Sequence, residues 1–229
     1  SMLFYGPAGT GKKMGGQVLA RELHLERYKA DLSSVMSKYI GETEKNLGEI
    51  FEEVKKSQSI LFFDEADALF GKRSEVKDAQ DKYANAETAY LLQKMEEYEG
   101  IVILATNYIQ NFDEAFKRRI RFMIEFPLPD AKRRLKIWSQ VYPRQTPVSE
   151  DVDFEFLAGQ FELSGSSIKN IAVSAAFRAA AAGTEVEMEQ ILNCLKEEMK
   201  KSGKNLQRED FGPYYSLMNR EEDTSHAII

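Results

Sequence analysis

A short apolar run, Met2-Leu3-Phe4-Tyr5, delivers the chain into Gly6-Pro7-Ala8-Gly9-Thr10-Gly11-Lys12, and the segment from Lys12 to Leu23 is compatible with a helix. This strand, glycine-rich turn and helix constrain the fold more than any other feature of the sequence. Glycines let successive backbone N–H groups wrap around an anion, the helix N-terminus adds the positive end of its dipole, and Lys12 adds an ammonium. Such a loop binds phosphate groups through Gly6, Pro7, Ala8, Gly9, Thr10, Gly11, Lys12 and the two residues that follow, Lys13 and Met14. In the full pattern the residue after the lysine carries a hydroxyl that ligates Mg2+. Here that residue is Lys13.

Further apolar runs, Ser59 to Phe63 and Ile101 to Ala105, are short and bounded by polar segments, as strands buried on both faces of a parallel sheet are. Tyr28 to Leu32 and Phe122 to Phe126 read as two more strands. Helical patterns lie between them, at Thr43 to Lys56, Lys82 to Tyr98 and Asp113 to Lys117. The alternation predicts an α/β P-loop NTPase fold, a doubly wound parallel sheet with its ligand at the carboxyl ends of the strands. Pro127-Leu128-Pro129-Asp130 interrupts the pattern, and only helical segments follow, at 130–141, 164–182 and 185–202. The expected organisation is a nucleotide domain over 1–128, a small all-α lid over 129–211 and a loosely held tail over 212–229.

Ile60-Leu61-Phe62-Phe63-Asp64-Glu65 ends a buried strand in two carboxylates. Asp64 is the candidate Mg2+ ligand, and Glu65 the candidate general base for an attacking water. Asp64-Glu65-Ala66-Asp67 also spells the tetrapeptide of one helicase class. Such helicases resemble two nucleotide-binding domains in tandem, and this chain has no room for a second. The single cysteine, Cys194, excludes an intrachain disulfide and fits a reducing, cytoplasmic setting. Two histidines leave no zinc cluster, and no apolar stretch approaches a membrane span. A net charge of −6 and a pI near 5.2 disfavour a broad nucleic-acid footprint.

From Met2 to Phe211 the chain resembles the AAA ATPases, ring-forming remodelling ATPases, with a stand-alone style similar to bacterial members. The resemblance implies ATP and Mg2+ as ligands, a homo-oligomeric, hexamer-like ring and a protein substrate. Ile103-Leu104-Ala105-Thr106-Asn107 is similar to the family's sensor segment, in which an asparagine positions the lytic water; Asn107 is that candidate. Asp113 to Phe122 resembles the region whose arginines reach the γ-phosphate held by a neighbouring subunit. The common Pro-Gly between two arginines is replaced, so Arg118 and Arg119 are the candidates and Arg121 a reserve. Ser37-Lys38-Tyr39-Ile40-Gly41-Glu42 looks like the family's pore loop, in which Tyr39, flanked by Lys38 and Ile40, would grip an extended polypeptide. Gly71 to Asp81 is either a second pore-facing loop or a surface loop. Lys169, where the family's second sensor begins, is either a γ-phosphate contact or a solvated helix lysine.

Departures from the family's pattern raise two expectations. Lys13 removes a metal ligand and puts a cation near the metal position. At ~4 Å and an effective dielectric near 20, one unit charge against another is worth about 4 kcal/mol. Either Mg2+ is weakened or displaced while nucleotide still binds, or Lys13 turns into solvent. Gly15-Gly16 is expected to fray the helix behind the loop, each glycine costing roughly 0.5–1 kcal/mol relative to alanine. The abrupt start is expected to reflect an excised core lacking a segment that helps enclose the adenine base.

Overall fold

The computed structural model describes residues 1–35, 41–70 and 80–219. The chain divides into two compact units, Ser1–Pro127 and Leu128–Ile229.

The first unit is built on a five-stranded sheet in the order β2-β3-β4-β1-β5. The strands are β1 (Met2–Tyr5), β2 (Arg27–Asp31), β3 (Ile60–Asp64), β4 (Val102–Thr106) and β5 (Phe122–Glu125), and every pairing is parallel. Helices α1 (Lys12–Glu22), α2 (Leu32–Val35), α3 (Glu42–Ser57), α4 (Gln80–Glu97) and α5 (Glu114–Arg119) connect them.

Alternation along the central strands explains the layers. Leu61 and Phe63 of β3 join Leu3 and Leu104 in a core closed by Leu47, Phe51 and Val54 of α3 and Leu91 of α4. Ile60 and Phe62, pointing the other way, join Phe4, Ile103 and Ala105 under Ala20 of α1. Burial on both faces is why β3 and β4 read as unbroken apolar runs. The doubly wound fold expected from the sequence is therefore the fold observed.

The glycine pair does not fray α1, which runs through both residues from Lys12 to Glu22. A Cβ on Gly16 would lie 2.6 Å from the ring of Phe62, and one on Gly15 would lie 2.8 Å from that of Phe126. The glycines are where the helix settles onto two aromatic rings.

The second unit holds α6 (Ala131–Val141), α7 (Phe154–Gln160), α8 (Gly165–Ala182) and α9 (Met188–Lys201) around Trp138, Leu157, Ile168, Ile191 and Leu195. Residues 212–219 are not loose. They belong to a 3₁₀-type run, Arg208–Asn219, kinked at Gly212, and Tyr214, Tyr215, Leu217 and Met218 pack against this core. Among the described residues no helix is long and apolar enough to cross a membrane.

Candidate functional site

Because all the strands are parallel, their carboxyl ends share one edge of the sheet, and the loop after β1 opens there. Gly6 leaves β1 with φ +140°, and a Cβ there would overlap the Phe126 carbonyl oxygen. Thr10 closes the turn by donating its hydroxyl to the Pro7 carbonyl at 2.9 Å. The Lys12 ammonium lies within the loop, donating to the carbonyls of Gly6 (2.7 Å) and Pro7 (2.8 Å). Lys12 is only 8% exposed, and burial pulls its pKa below the usual lysine value against the opposing pull of Asp64 and Asp67. A partly desolvated ammonium held by neutral carbonyls is well suited to exchange them for phosphate oxygens.

Asp64 ends β3 beside Asp31, the last residue of β2, in register with it. Asp31 is held by its own turn, accepting from the backbone N–H and hydroxyl of Ser33 at 2.9 and 2.7 Å. Those bonds, the hydroxyl's foremost, keep it below its ordinary pKa. Asp64 is buried and pairs with cations. The Lys13 ammonium stands 2.6 Å from its Oδ2, and Lys29 of β2 reaches the same oxygen at 3.7 Å. The bond to Asp64 raises the Lys13 pKa above the usual lysine value. The Lys13 ammonium is thus not turned wholly into solvent: it pairs with the carboxylate that the sequence assigns to the metal.

Glu65 follows with φ 52°, in the left-handed region. This conformation costs a non-glycine residue about 1–2 kcal/mol. It leaves the Glu65 side chain exposed at the strand edge as the chain turns into the 3₁₀ segment Ala66–Phe70.

Asn107 is exposed just beyond β4, which lies between β3 and β1. Its position is set by a residue to which the sequence reading gave no separate role. Thr106, 1% exposed, donates its hydroxyl to Asp67 at 2.8 Å and accepts the Tyr108 backbone N–H at 3.0 Å. These bonds tie the turn after β4 to the one after β3. A threonine ending an otherwise apolar strand was the available signal. Lys29 was also missed, its one cue being its place two residues before Asp31 on one strand face.

The candidate arginines are not at this edge. Arg118 and Arg119 are exposed at the end of α5, which returns the chain to the amino end of β5. There the Arg121 N–H donates to the Ser1 hydroxyl at 3.3 Å and the Phe122 N–H to the Ser1 carbonyl at 3.3 Å. Arg119 and Arg121 line a cavity of about 380 Å3 with Leu92, Met95 and Tyr98. Lys169 is exposed on α8 of the second unit. Lys38, Tyr39 and Ile40, and nearly all of Gly71 to Asp81, lie outside the described residues.

This edge suits a polyphosphate better than a divalent metal. The loop, Lys12 and the start of α1 could hold phosphates. Mg2+ wants near-octahedral oxygen donors, but residue 13 brings no hydroxyl and Asp64 is already engaged by two ammonium groups. The residues present do not fit Mg2+ as the sequence reading assigned it to Asp64.

The chain is similar to several known proteins. A proteasome-activating nucleotidase of Saccharolobus islandicus is 33% identical over 203 residues, covering 85% of this chain and 51% of the relative. A Cell division cycle protein 48 homologue of Archaeoglobus fulgidus is 39% identical over 161 residues, covering 69% of this chain and 22% of the relative. Protein SAV of Sulfolobus acidocaldarius is 37% identical over 186 residues, covering 78% and 23%. The chain thus spans about half the length of the nucleotidase and under a quarter of the other two. The family described as "ATPase family associated with various cellular activities (AAA)" matches residues 2–129. That match starts at β1 and ends just past β5, taking in the whole sheet and every loop at its carboxyl edge, and by it the chain belongs to the AAA family of ATPases.

Proposed function

We propose that this chain binds ATP at the loop after β1, assembles into a homo-oligomeric, hexamer-like ring, and couples ATP hydrolysis to remodelling or threading a protein partner. The observation that carries the proposal is the sorting of the candidate residues between the two ends of the parallel sheet. Lys12 opens α1 directly behind the loop after β1 and Glu65 and Asn107 follow β3 and β4, all at the carboxyl edge, whereas Arg118 and Arg119 lead into the amino end of β5. In this reading Lys12 and the loop hold the phosphates. Asn107 orients a water, and Glu65 takes its proton as the oxygen attacks the terminal phosphorus and the bond to the bridging oxygen breaks. Arginines at the far end cannot serve their own loop, so they complete a neighbour's. A forked guanidinium suits that task because it stays charged. Relatives named as a proteasome-activating nucleotidase and a Cell division cycle protein 48 homologue support a protein as the partner. Tyr39 with Lys38 and Ile40 would grip it.

A second reading is favoured by the Lys13–Asp64 ion pair: bound nucleotide sets assembly and is turned over slowly or not at all. Phosphate release measured at rising protein concentration separates the two. Turnover per chain that climbs with concentration and disappears in Glu65→Gln supports the ATPase. Assembly without phosphate release supports the switch.

A further inference from the structure

Lys13 holds the position at which the sequence pattern calls for a metal-binding hydroxyl, and its ammonium has found the carboxylate that the same pattern gives to the metal. The contact is 2.6 Å to Asp64 Oδ2, with the Asp64 side chain 9% exposed and that of Lys13 60% exposed. One end of the pair is thus buried in the sheet edge while the other faces outward. Its backbone is held in place: Lys13 lies in the first turn of α1, and its carbonyl accepts from Arg27 Nη1 at 3.1 Å. Lys29, at 3.7 Å from the same oxygen, adds positive charge from β2. An ammonium offers three N–H donors, and Asp64 takes one of them.

We infer that the Lys13 ammonium is the resident cation of this site, standing between Asp64 and the ligand's phosphates where a divalent ion would otherwise stand, so that the chain recognises a metal-free nucleoside polyphosphate. The inference rests on the proposed nucleotide site and deepens it. A tethered ammonium needs no recruitment from solution, and its charge-assisted hydrogen bonds can serve carboxylate and phosphate together. An incoming Mg2+ would have to give up water, displace Lys13 from Asp64 and remain beside two ammonium groups, with no hydroxyl to complete its shell.

Calorimetric titration of the full chain with ATP, in excess MgCl2 and in excess EDTA, tests this. For the unaltered chain Mg2+ should change the Kd by less than about threefold, whereas in Lys13→Thr it should tighten binding by at least about tenfold. Lys13→Gln, which has neither charge nor hydroxyl, should weaken binding in EDTA by at least about tenfold. It also serves if the threonine variant does not fold. Mn2+ carried through gel filtration with the ATP complex should be well below one per chain for the unaltered protein and near one for Lys13→Thr. If the unaltered chain instead needs Mg2+ for tight binding and retains Mn2+, the inference fails while the nucleotide site stands. If ATP binds in neither medium, both fail.

Discussion

Gly16 sits in a helix interior where alanine would ordinarily be preferred by about 1 kcal/mol. At this position packing opposes propensity. The added Cβ would come 2.6 Å from Cδ2 and Cε2 of Phe62, a ring with no exposed surface and an arginine, Arg27, 5.3 Å from its centre. Overpacking a rigid core site costs typically about 1–3 kcal/mol, so after the gain in propensity Gly16→Ala should lose about 1 kcal/mol net, and at most about 2, in urea unfolding. Gly15→Ala meets the edge of Phe126, which is only partly buried, and should lie within about 0.5 kcal/mol of the unaltered chain. Equal effects at the two positions would refute the packing account. In sequence the pair reads only as a weak stretch of helix, because the opposing ring comes from β3. The same holds for Lys13: its departure from the loop pattern is plain in the sequence, but its carboxylate partner becomes visible only when α1 meets the end of β3.

Helix starts were more legible, because a cap is a local event. Asp130 caps α6, accepting the Arg133 N–H at 2.8 Å, and Ser164 caps α8, accepting the Ser167 N–H at 3.1 Å. α7 has seven residues, too few for the repeat that marks a helix in sequence. Its cap, Asp153, accepts the Phe156 N–H at 2.8 Å and the Tyr214 hydroxyl at 2.8 Å, while the Tyr214 ring lies 4.9 Å from that of Phe156, tilted by 58°. The tail's attachment was hidden for a related reason, since Gly212 and Pro213 break any periodicity in the run that carries Tyr214. The Phe156 N–H first, then the Tyr214 hydroxyl, hold the Asp153 carboxylate below its ordinary pKa of 3.8. A carboxylate whose pKa is lower folded than unfolded contributes stability that is fully present above the unfolded value and is lost as pH falls through the folded one. Asp153→Ala should therefore cost about 1–2 kcal/mol at neutral pH, and that cost should shrink once pH drops below 3.8. Unfolding curves for both proteins between about pH 7 and about pH 2.5 would show it. A difference independent of pH would mean that packing, rather than the charge, ties the tail to α7.

At the scale of the whole molecule, the parallel sheet decides what one chain can do alone. β1 has four residues, which at ~3.3 Å per residue separate its two ends by roughly 13 Å. The loop after β1 opens at one end, and α5 places Arg118 and Arg119 near the other. If these arginines act on nucleotide they act on a neighbour's, and bound ATP becomes part of the contact between chains. Sedimentation velocity should then show ATP shifting the unaltered chain to larger species as protein concentration rises, in EDTA as well as in MgCl2 if Lys13 is the resident cation. Arg118→Ala/Arg119→Ala should stay small under the same conditions. Its own ATP affinity in dilute solution should change by less than about twofold, because both side chains are exposed and removed from the loop. A double variant that assembles normally would make the arginines ordinary surface charge. One that loses ATP binding in dilute solution would place them in their own chain's site, against the separation that the sheet imposes.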